Sequence, residues 1–529
     1  MSSPRPAQPA ARRDPLAAMA WAALVLALAA PIGWGAVQPN SWDVDNIAPG
    51  SVLRGLAAGF GPGWHASYGP LPYLLTAVLY LPVLAALRLA GALGEPAAEF
   101  PYGFAHPDAA MFALILIARA LTLALALGLA WSLVRAHRAA GGRRGWIVPL
   151  LLLGSPVFAY YARTSNVDMH YAFWLAAAFA LAESRAATPG RLAWAAAAAT
   201  AALCSKEQSA PLAVVAGGWA LWRAARGDAG PRRARAAAGV AGAALATYVA
   251  LYALPFNLEG WRAHHHFVFH VARYERAYPL TPGGLAGLAG RLVELAPVGL
   301  GWPVLLGLAL AIVGRAPLAG LGPRAVAVGL YVAGFLAPVG YVYPRFLLPL
   351  LLLAVPLAAR GVEAALERAA GRAWAAPLAA ALAVLALTGA PNLARVQLTD
   401  TRLAAGAWLR ARVPPGATVE IAGNPRFQLH PPRDVRVLVT SPDSLRASPR
   451  GPRGDVVLLS GVDGAFFERD PAVRAAWYDS LAAGYEGPRV FRPAMDPGNV
   501  RDLFVSPEVR AWVRRGLPPR APGDGGRAR

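Results

Sequence analysis

The chain predicts a polytopic α-helical membrane protein with a small soluble α/β domain at its C-terminal end, and three observations predict it. Long apolar stretches recur from the N-terminus to about Pro391. Only 15% of the 529 residues are charged, against about 25% in soluble domains. Beyond Pro391 the apolar runs give way to short β-rich segments separated by Pro, Gly and Asp. Helices are the expected spanning units, because lipid offers backbone amides no partner.

The first apolar run, about Leu16 to Ala36, follows Arg5, Arg12 and Arg13. It is long enough to span and more spans follow, so it reads as a retained signal anchor with its N-terminus in the cytoplasm. Arginine position then sets the topology, since cytoplasmic loops collect basic residues. An arrangement of about eleven spans places inside Arg135, Arg138, Arg143 and Arg144, then Arg185 and Arg191, then Arg223, Arg226, Arg232, Arg233 and Arg235. Arg315 and Arg324, and Arg360, Arg368 and Arg372, complete that side. The scheme requires Leu71–Ala92 to lie at the outer interface, within a loop from about Val37 to Asp108. Pro70, Pro72 and Pro82 point to broken interfacial helices there.

With that alternation, the polar groups of chemical interest fall on one face. The first outer loop carries Trp42-Asp43-Val44-Asp45-Asn46, His65 and Tyr68-Gly69-Pro70-Leu71-Pro72-Tyr73. Later outer loops carry Tyr160-Tyr161-Ala162-Arg163 with Asn166 and Asp168, and Ser205-Lys206-Glu207-Gln208. Two more supply His264, His265, His266 and His270 with Arg273 and Tyr274, and Tyr341-Val342-Tyr343-Pro344-Arg345-Phe346. Carboxylates at a bilayer surface are costly and mark function by default, although Asp and Asn also serve turns. Of the 50 Lys and Arg residues only Lys206 is a lysine, a compact point charge suited to phosphate, or else a cation snorkelling at a helix end. Asp168 competes with an N-cap role, and Arg345 with an aromatic-belt role beside Tyr341 and Tyr343. His266 and His270 share a helix face. A metal held by the histidines lacks an accompanying Cys or acidic ligand set.

The formal net charge of +21 sits in loops and the C-terminal tail, without aromatic-interleaved basic motifs, so nucleic acid is not an expected partner. One cysteine, Cys204, excludes an intrachain disulfide. Three regions are expected: 1–390 in the membrane, 391–517 as the outer α/β domain, and 518–529 as a disordered tail. In the second, a helix over Asp400–Arg412 precedes strands at Ala417–Ala422, Val435–Thr440 and Asp455–Ser460, and a helical stretch runs from Phe466 to Tyr485.

Four segments resemble the GT-C superfamily of membrane glycosyltransferases, in particular the bacterial protein O-mannosyltransferase and lipid A aminoarabinose transferase group. They are Trp42-Asp43-Val44-Asp45 after the first span, Tyr68-Gly69-Pro70-Leu71-Pro72-Tyr73 in the same loop, Ser155 to Arg163 with Asn166 and Asp168, and Tyr343-Pro344-Arg345-Phe346-Leu347-Leu348-Pro349. The acidic pair is Asp-x-Asp, where mannosyltransferases have adjacent Asp-Glu, and the proline run is broken.

That resemblance implies an inverting transfer from a polyprenyl-phosphate-linked sugar to a hydroxyl of a lipid, protein or glycan acceptor. It places the chain in the bacterial cytoplasmic membrane, among membrane lipids, with its site facing the periplasm. Asp43 is then the expected base, with Asp45 or Asp168 orienting the acceptor. Arg163, Lys206, Glu207, Arg345, Tyr68, His65, His266 and His270 are the expected substrate and phosphate contacts. A divalent cation, Mg or Mn, held by Asp43 and Asp168 stays open. So do two other classes: a flippase for lipid-linked sugars, disfavoured by the absence of a sequence repeat, and a non-catalytic membrane assembly protein.

Overall fold

The computed structural model describes residues 15–36, 42–43, 46–184, 187–226, 231–271, 275–493, 503 and 505–521. Asp45, Arg185, Arg273, Tyr274 and the tail beyond 521 lie outside the described residues.

The first half of the chain forms helices α1 (Pro15–Ala29), α2 (Pro49–Ala57), α3 (Leu71–Leu89), α4 (Pro107–Ala139), α5 (Ile147–Leu153), α6 (Pro156–Arg163) and α7 (Val167–Ala182). Then come α8 (Pro189–Leu203), α9 (Ala210–Ala225), α10 (Pro231–Leu251), α11 (Leu258–His266), α12 (Pro282–Gly299) and α13 (Trp302–Val313). The membrane part closes with α14 (Gly322–Tyr331), α15 (Ala337–Val339), α16 (Leu351–Ala369), α17 (Ala375–Leu387) and α18 (Ala390–Leu398).

Among the described residues six helical segments are long and apolar enough to cross a membrane, or seven when the pair α12 and α13, bent by 116°, counts as one. This makes the chain a multi-pass membrane protein, and the expected count of eleven spans is not confirmed by helix length. Helices α1 and α7, of 15 and 16 residues, rise only about 23 Å, short of a hydrocarbon core of about 30 Å.

Leu71–Ala92 also departs from expectation. It contains one continuous 19-residue helix, α3, which is among the six segments. Pro70 and Pro72 sit at its cap and first turn, where a missing N–H costs nothing, and so begin the helix rather than break it. Pro82 faces outward and the helix continues through it.

After α18 come α19 (Thr401–Arg412), β1 (Thr418–Ala422), β2 (Arg436–Thr440), α20 (Pro442–Ala447), β3 (Val456–Ser460), α21 (Gly461–Arg469), α22 (Pro471–Gly484), β4 (Tyr485–Phe491) and β5 (Val509–Arg514). The strand order is β2-β1-β3-β5-β4, with β1 parallel to β2 and β3 and with β5 antiparallel to β3 and β4. Strand β3 is buried on both faces: Val456 and Leu458 pack with Leu409 of α19, while Val457 and Leu459 pack with Trp477 and Phe467. A continuous apolar run is what a doubly covered central strand requires. The expected helix over Phe466–Tyr485 is two helices that meet at Asp470-Pro471, where Asp470 caps the second. The first residues of the expected tail are held as well. Arg520 donates from its backbone N–H to the Arg412 carbonyl (3.1 Å) and from its side chain to that of Arg410 (3.2 Å), satisfying orphan carbonyls at the end of α19.

The sheet docks on the loop that follows α1. Asp400 accepts from the Trp34 indole (3.0 Å) and pairs with Arg402, whose guanidinium lies 4.0 Å over the Trp42 ring. His430 stacks on Trp42, and Arg433 forms an ion pair with Asp108.

Candidate functional site: ion pairs where three loops meet

The segment after α1, the turn between α6 and α7, and the turn between α8 and α9 are pulled together by backbone hydrogen bonds. Asn46 and Asn166 form an antiparallel bridge, and Ile47 donates to the Ser165 carbonyl at 2.6 Å. Leu71 donates to the Cys204 carbonyl at 3.1 Å. Gly69 permits that approach: a Cβ there would stand 2.1 Å from the Cys204 oxygen.

Asp43 is buried. One carboxylate oxygen accepts from Arg119 at 3.1 Å, and the other accepts from the Ser165 amide at 3.2 Å and its hydroxyl at 3.3 Å. Arg119 also donates to the carbonyls of Ile32 (2.7 Å) and Trp34 (2.6 Å), so it fastens the chain leaving α1 to the middle of α4. The expected base is therefore committed to a structural clamp, because taking a proton would cost Asp43 these bonds.

At the start of α7 Asn166 is the N-cap, its side-chain oxygen accepting from the Asp168 amide at 2.9 Å. With capping done by Asn166, the Asp168 carboxylate turns to Lys206, whose ammonium donates to both its oxygens at 2.8 and 2.9 Å. The same ammonium lies 5.2 Å over the Tyr68 ring. Tyr68 and Lys206, expected at the site, thus meet each other and Asp168.

Glu207 pairs with His264 at 2.6 Å, and the other ring nitrogen of His264 lies 2.9 Å from the Ala66 carbonyl. Burial alone would lower the His264 pKa; the hydrogen bond to Glu207 and its charge outweigh that and raise it above the ordinary histidine value. Gln208 donates to the Tyr171 hydroxyl at 2.6 Å. Arg345 is flanked by Tyr343 and Phe346, its guanidinium 5.3 and 5.7 Å from their rings.

A cavity of about 310 Å³ opens beside this cluster, walled by Phe60, Trp64, Tyr68, Tyr252, Trp261 and His264. His65 lies at its exposed edge. A second space of about 270 Å³, almost wholly apolar, runs between α8, α9 and α10. Small residues such as Gly217, Gly218 and Ala244 leave it open, and its lining reaches Leu203 and Ala210 on either side of the turn that holds Lys206.

Three expected contacts lie apart. Arg163 is buried and donates to Gln397 at 2.8 Å and to the Ala390 carbonyl at 3.4 Å, bracing α18. His266 and His270 share a face, their rings 4.9 Å apart, but it is an exposed one; the histidine facing the cluster is His264. A divalent ion between Asp43 and Asp168 does not fit these residues, since each carboxylate already holds its own cation, Arg119 or Lys206. Arg119 itself escaped the sequence reading. Its signal was available: a lone arginine inside the apolar run Leu114–Leu129.

No known family profile and no curated protein matches the chain. Among solved structures it is similar to ArnT from Cupriavidus metallidurans in the apo state, at 16% identity over 94% of this chain and 98% of that chain, with a TM-score of 0.43. It is also similar to the archaeal oligosaccharyltransferase AglB from Archaeoglobus fulgidus, solved with an inhibitory peptide and a dolichol-phosphate: 11% identity, 90% and 73% coverage, TM-score 0.39. A third is the S. cerevisiae protein O-mannosyltransferase Pmt1-Pmt2 complex bound to the sugar donor, at 17% identity, 45% and 34% coverage, TM-score 0.32. With TM-scores below 0.5 the likeness assigns no residue its role, and function is argued from the site.

Proposed function

We propose that the chain is an inverting glycosyltransferase that moves a sugar from a polyprenyl-phosphate donor to an acceptor hydroxyl on the outer face of the bacterial cytoplasmic membrane. The observation that carries this reading is the position of Lys206. The chain's one lysine stands between a carboxylate and an aromatic ring that walls a cavity, in a turn whose flanking residues Leu203 and Ala210 line an apolar slot. A phosphate on a long hydrocarbon tail, carrying a sugar, matches those three surroundings in turn.

In this reading the donor phosphate takes over the ammonium from Asp168, with Arg345 as second cation, while the tail occupies the slot between α8, α9 and α10. The acceptor oxygen attacks the anomeric carbon from the face opposite the phosphate, and its proton passes to a carboxylate. The bond from the anomeric carbon to the phosphate oxygen breaks, and polyprenyl phosphate leaves with the electron pair. With Asp43 spent on Arg119 and Ser165, Asp45 is the carboxylate of that run assigned to the proton, and Asp168, once freed from Lys206, orients the acceptor.

The test uses full-length protein in nanodiscs with a radiolabelled polyprenyl-phosphate sugar. D45N and K206M are each expected to abolish transfer while the protein stays folded. Undiminished transfer in K206M would refute the phosphate site. Sugar lipid crossing the bilayer without any transfer would favour the flippase. Glycan analysis of lipids, proteins and cell-wall polymers from cells lacking the chain identifies the acceptor.

A further inference from the structure

Helices α4 and α7 both pass the carboxylate cluster, α4 at Arg119 and α7 in its first turn, and end together far from it. From Arg119 to Arg138 helix α4 rises about 28 Å, close to one hydrocarbon thickness. At that far end lies a cavity of about 360 Å³, lined by Arg135 and Arg138 of α4 and by Glu183 and Ser184 just past α7.

The charges there do not cancel. Glu183 is consumed by Arg324, which grips both its oxygens at 3.0 and 3.1 Å. The nearby Glu363 is likewise consumed by the backbone amides of Arg143 and Arg144 and by His137. Arg223 already donates to the carbonyl of Ala182, which ends α7, and to that of Ser184 just past it. Arg135 and Arg138, three residues apart on one face, are exposed, and among the described residues neither has an ion-pair partner. One turn earlier on α4 Trp131 is 52% exposed and packs near Trp21, as an aromatic anchor at a membrane surface does.

We infer that this cavity is a binding site for the headgroup of an anionic phospholipid. Two guanidiniums with no carboxylate left to pair fit phosphodiester oxygens, and guanidinium forks bind phosphate in bidentate fashion. The Trp131 belt sets the cavity at headgroup depth, which favours a lipid over a soluble anion. The acyl chains then lie along the apolar flank of α4. The site stands opposite the proposed catalytic end and does not depend on what that end does.

Native mass spectrometry of the full-length protein in mild detergent, titrated separately with cardiolipin, phosphatidylglycerol and phosphatidylcholine, tests this. The wild type is expected to retain the two anionic lipids and not phosphatidylcholine. R135A/R138A should bind them about 30-fold more weakly, at the rough worth of two arginines at an anionic surface. R135K/R138K keeps the charge that sets membrane orientation but loses the forks, and it should bind measurably more weakly than wild type. R143A, on the neighbouring loop outside the cavity, should bind as wild type does. The site is refuted if R135K/R138K matches wild type, if phosphatidylcholine binds as well as cardiolipin, or if millimolar inorganic phosphate displaces the lipid.

Discussion

Two levels along α4 and α7 handle charge in opposite ways. Around the cluster the buried carboxylates Asp43 and Asp168 each have a cation, Arg119 and Lys206, and the half-buried Glu207 pairs with His264. At the far end the carboxylates Glu183 and Glu363 are consumed and arginines remain over. A matched pair such as Asp168–Lys206, unlike the Asp43 clamp, can exchange partners when a charged ligand arrives, whereas a surplus can only attract. The first arrangement suits turnover and the second suits holding.

Breaking the pairs one at a time tests that contrast. The largest effect is expected for K206M, which strands Asp168 in the interior. Stability should fall by about 3–5 kcal/mol and transfer should vanish. D168N/K206M should recover much of the thermal stability, read by unfolding in detergent, without recovering transfer. R324A, at the far end, should cost about 3 kcal/mol for the same reason yet leave transfer per folded molecule unchanged; a parallel loss of activity would show that the ends are not separable. G69A should cost about 1–3 kcal/mol by overpacking, because its methyl would press on the Cys204 carbonyl, and should slow transfer by spreading the loops around Lys206.

The smallest effect is a pH dependence. The folded-state pKa of His264 is raised above its ordinary 6.5, so the stabilisation from its charged form is complete below that value and is lost as pH climbs through the raised one. Melting temperature should therefore drop over that interval in the wild type and stay flat in H264N. A flat wild-type profile would remove the Glu207–His264 charge pair from the account.

Much of this was legible from the residues, and the misses have physical causes. The loop order and the placing of Asp168, Lys206, Tyr68 and Glu207 in one cluster follow from polar groups clustering at span boundaries. Strands β1 and β3 were readable because buried strands read as near-continuous apolar runs, and the mostly exposed edge strand β2 still holds Val437, Leu438 and Val439 in a row. β4 and β5 were missed: Tyr485–Phe491 holds Gly487-Pro488 and is mostly exposed, so it lacks both alternation and an apolar run. Prolines misled at α3 because their position relative to the helix start, not their number, decides whether they break it. Arg163 and Asp43 carried the right residue types, but sequence spacing could not show that Gln397 and Arg119, 234 and 76 positions away, would claim them.

The grip of Arg402 and His430 on Trp42 has a consequence for the last hundred or so residues. A protease cut engineered into the joint at Leu398–Asp400 would nick the chain without shedding the sheet, which would stay moored to the loop after α1 by an indole, a guanidinium and an imidazole. Co-purification of the two fragments would reveal a lid built in place, not a pendant tethered by its linker.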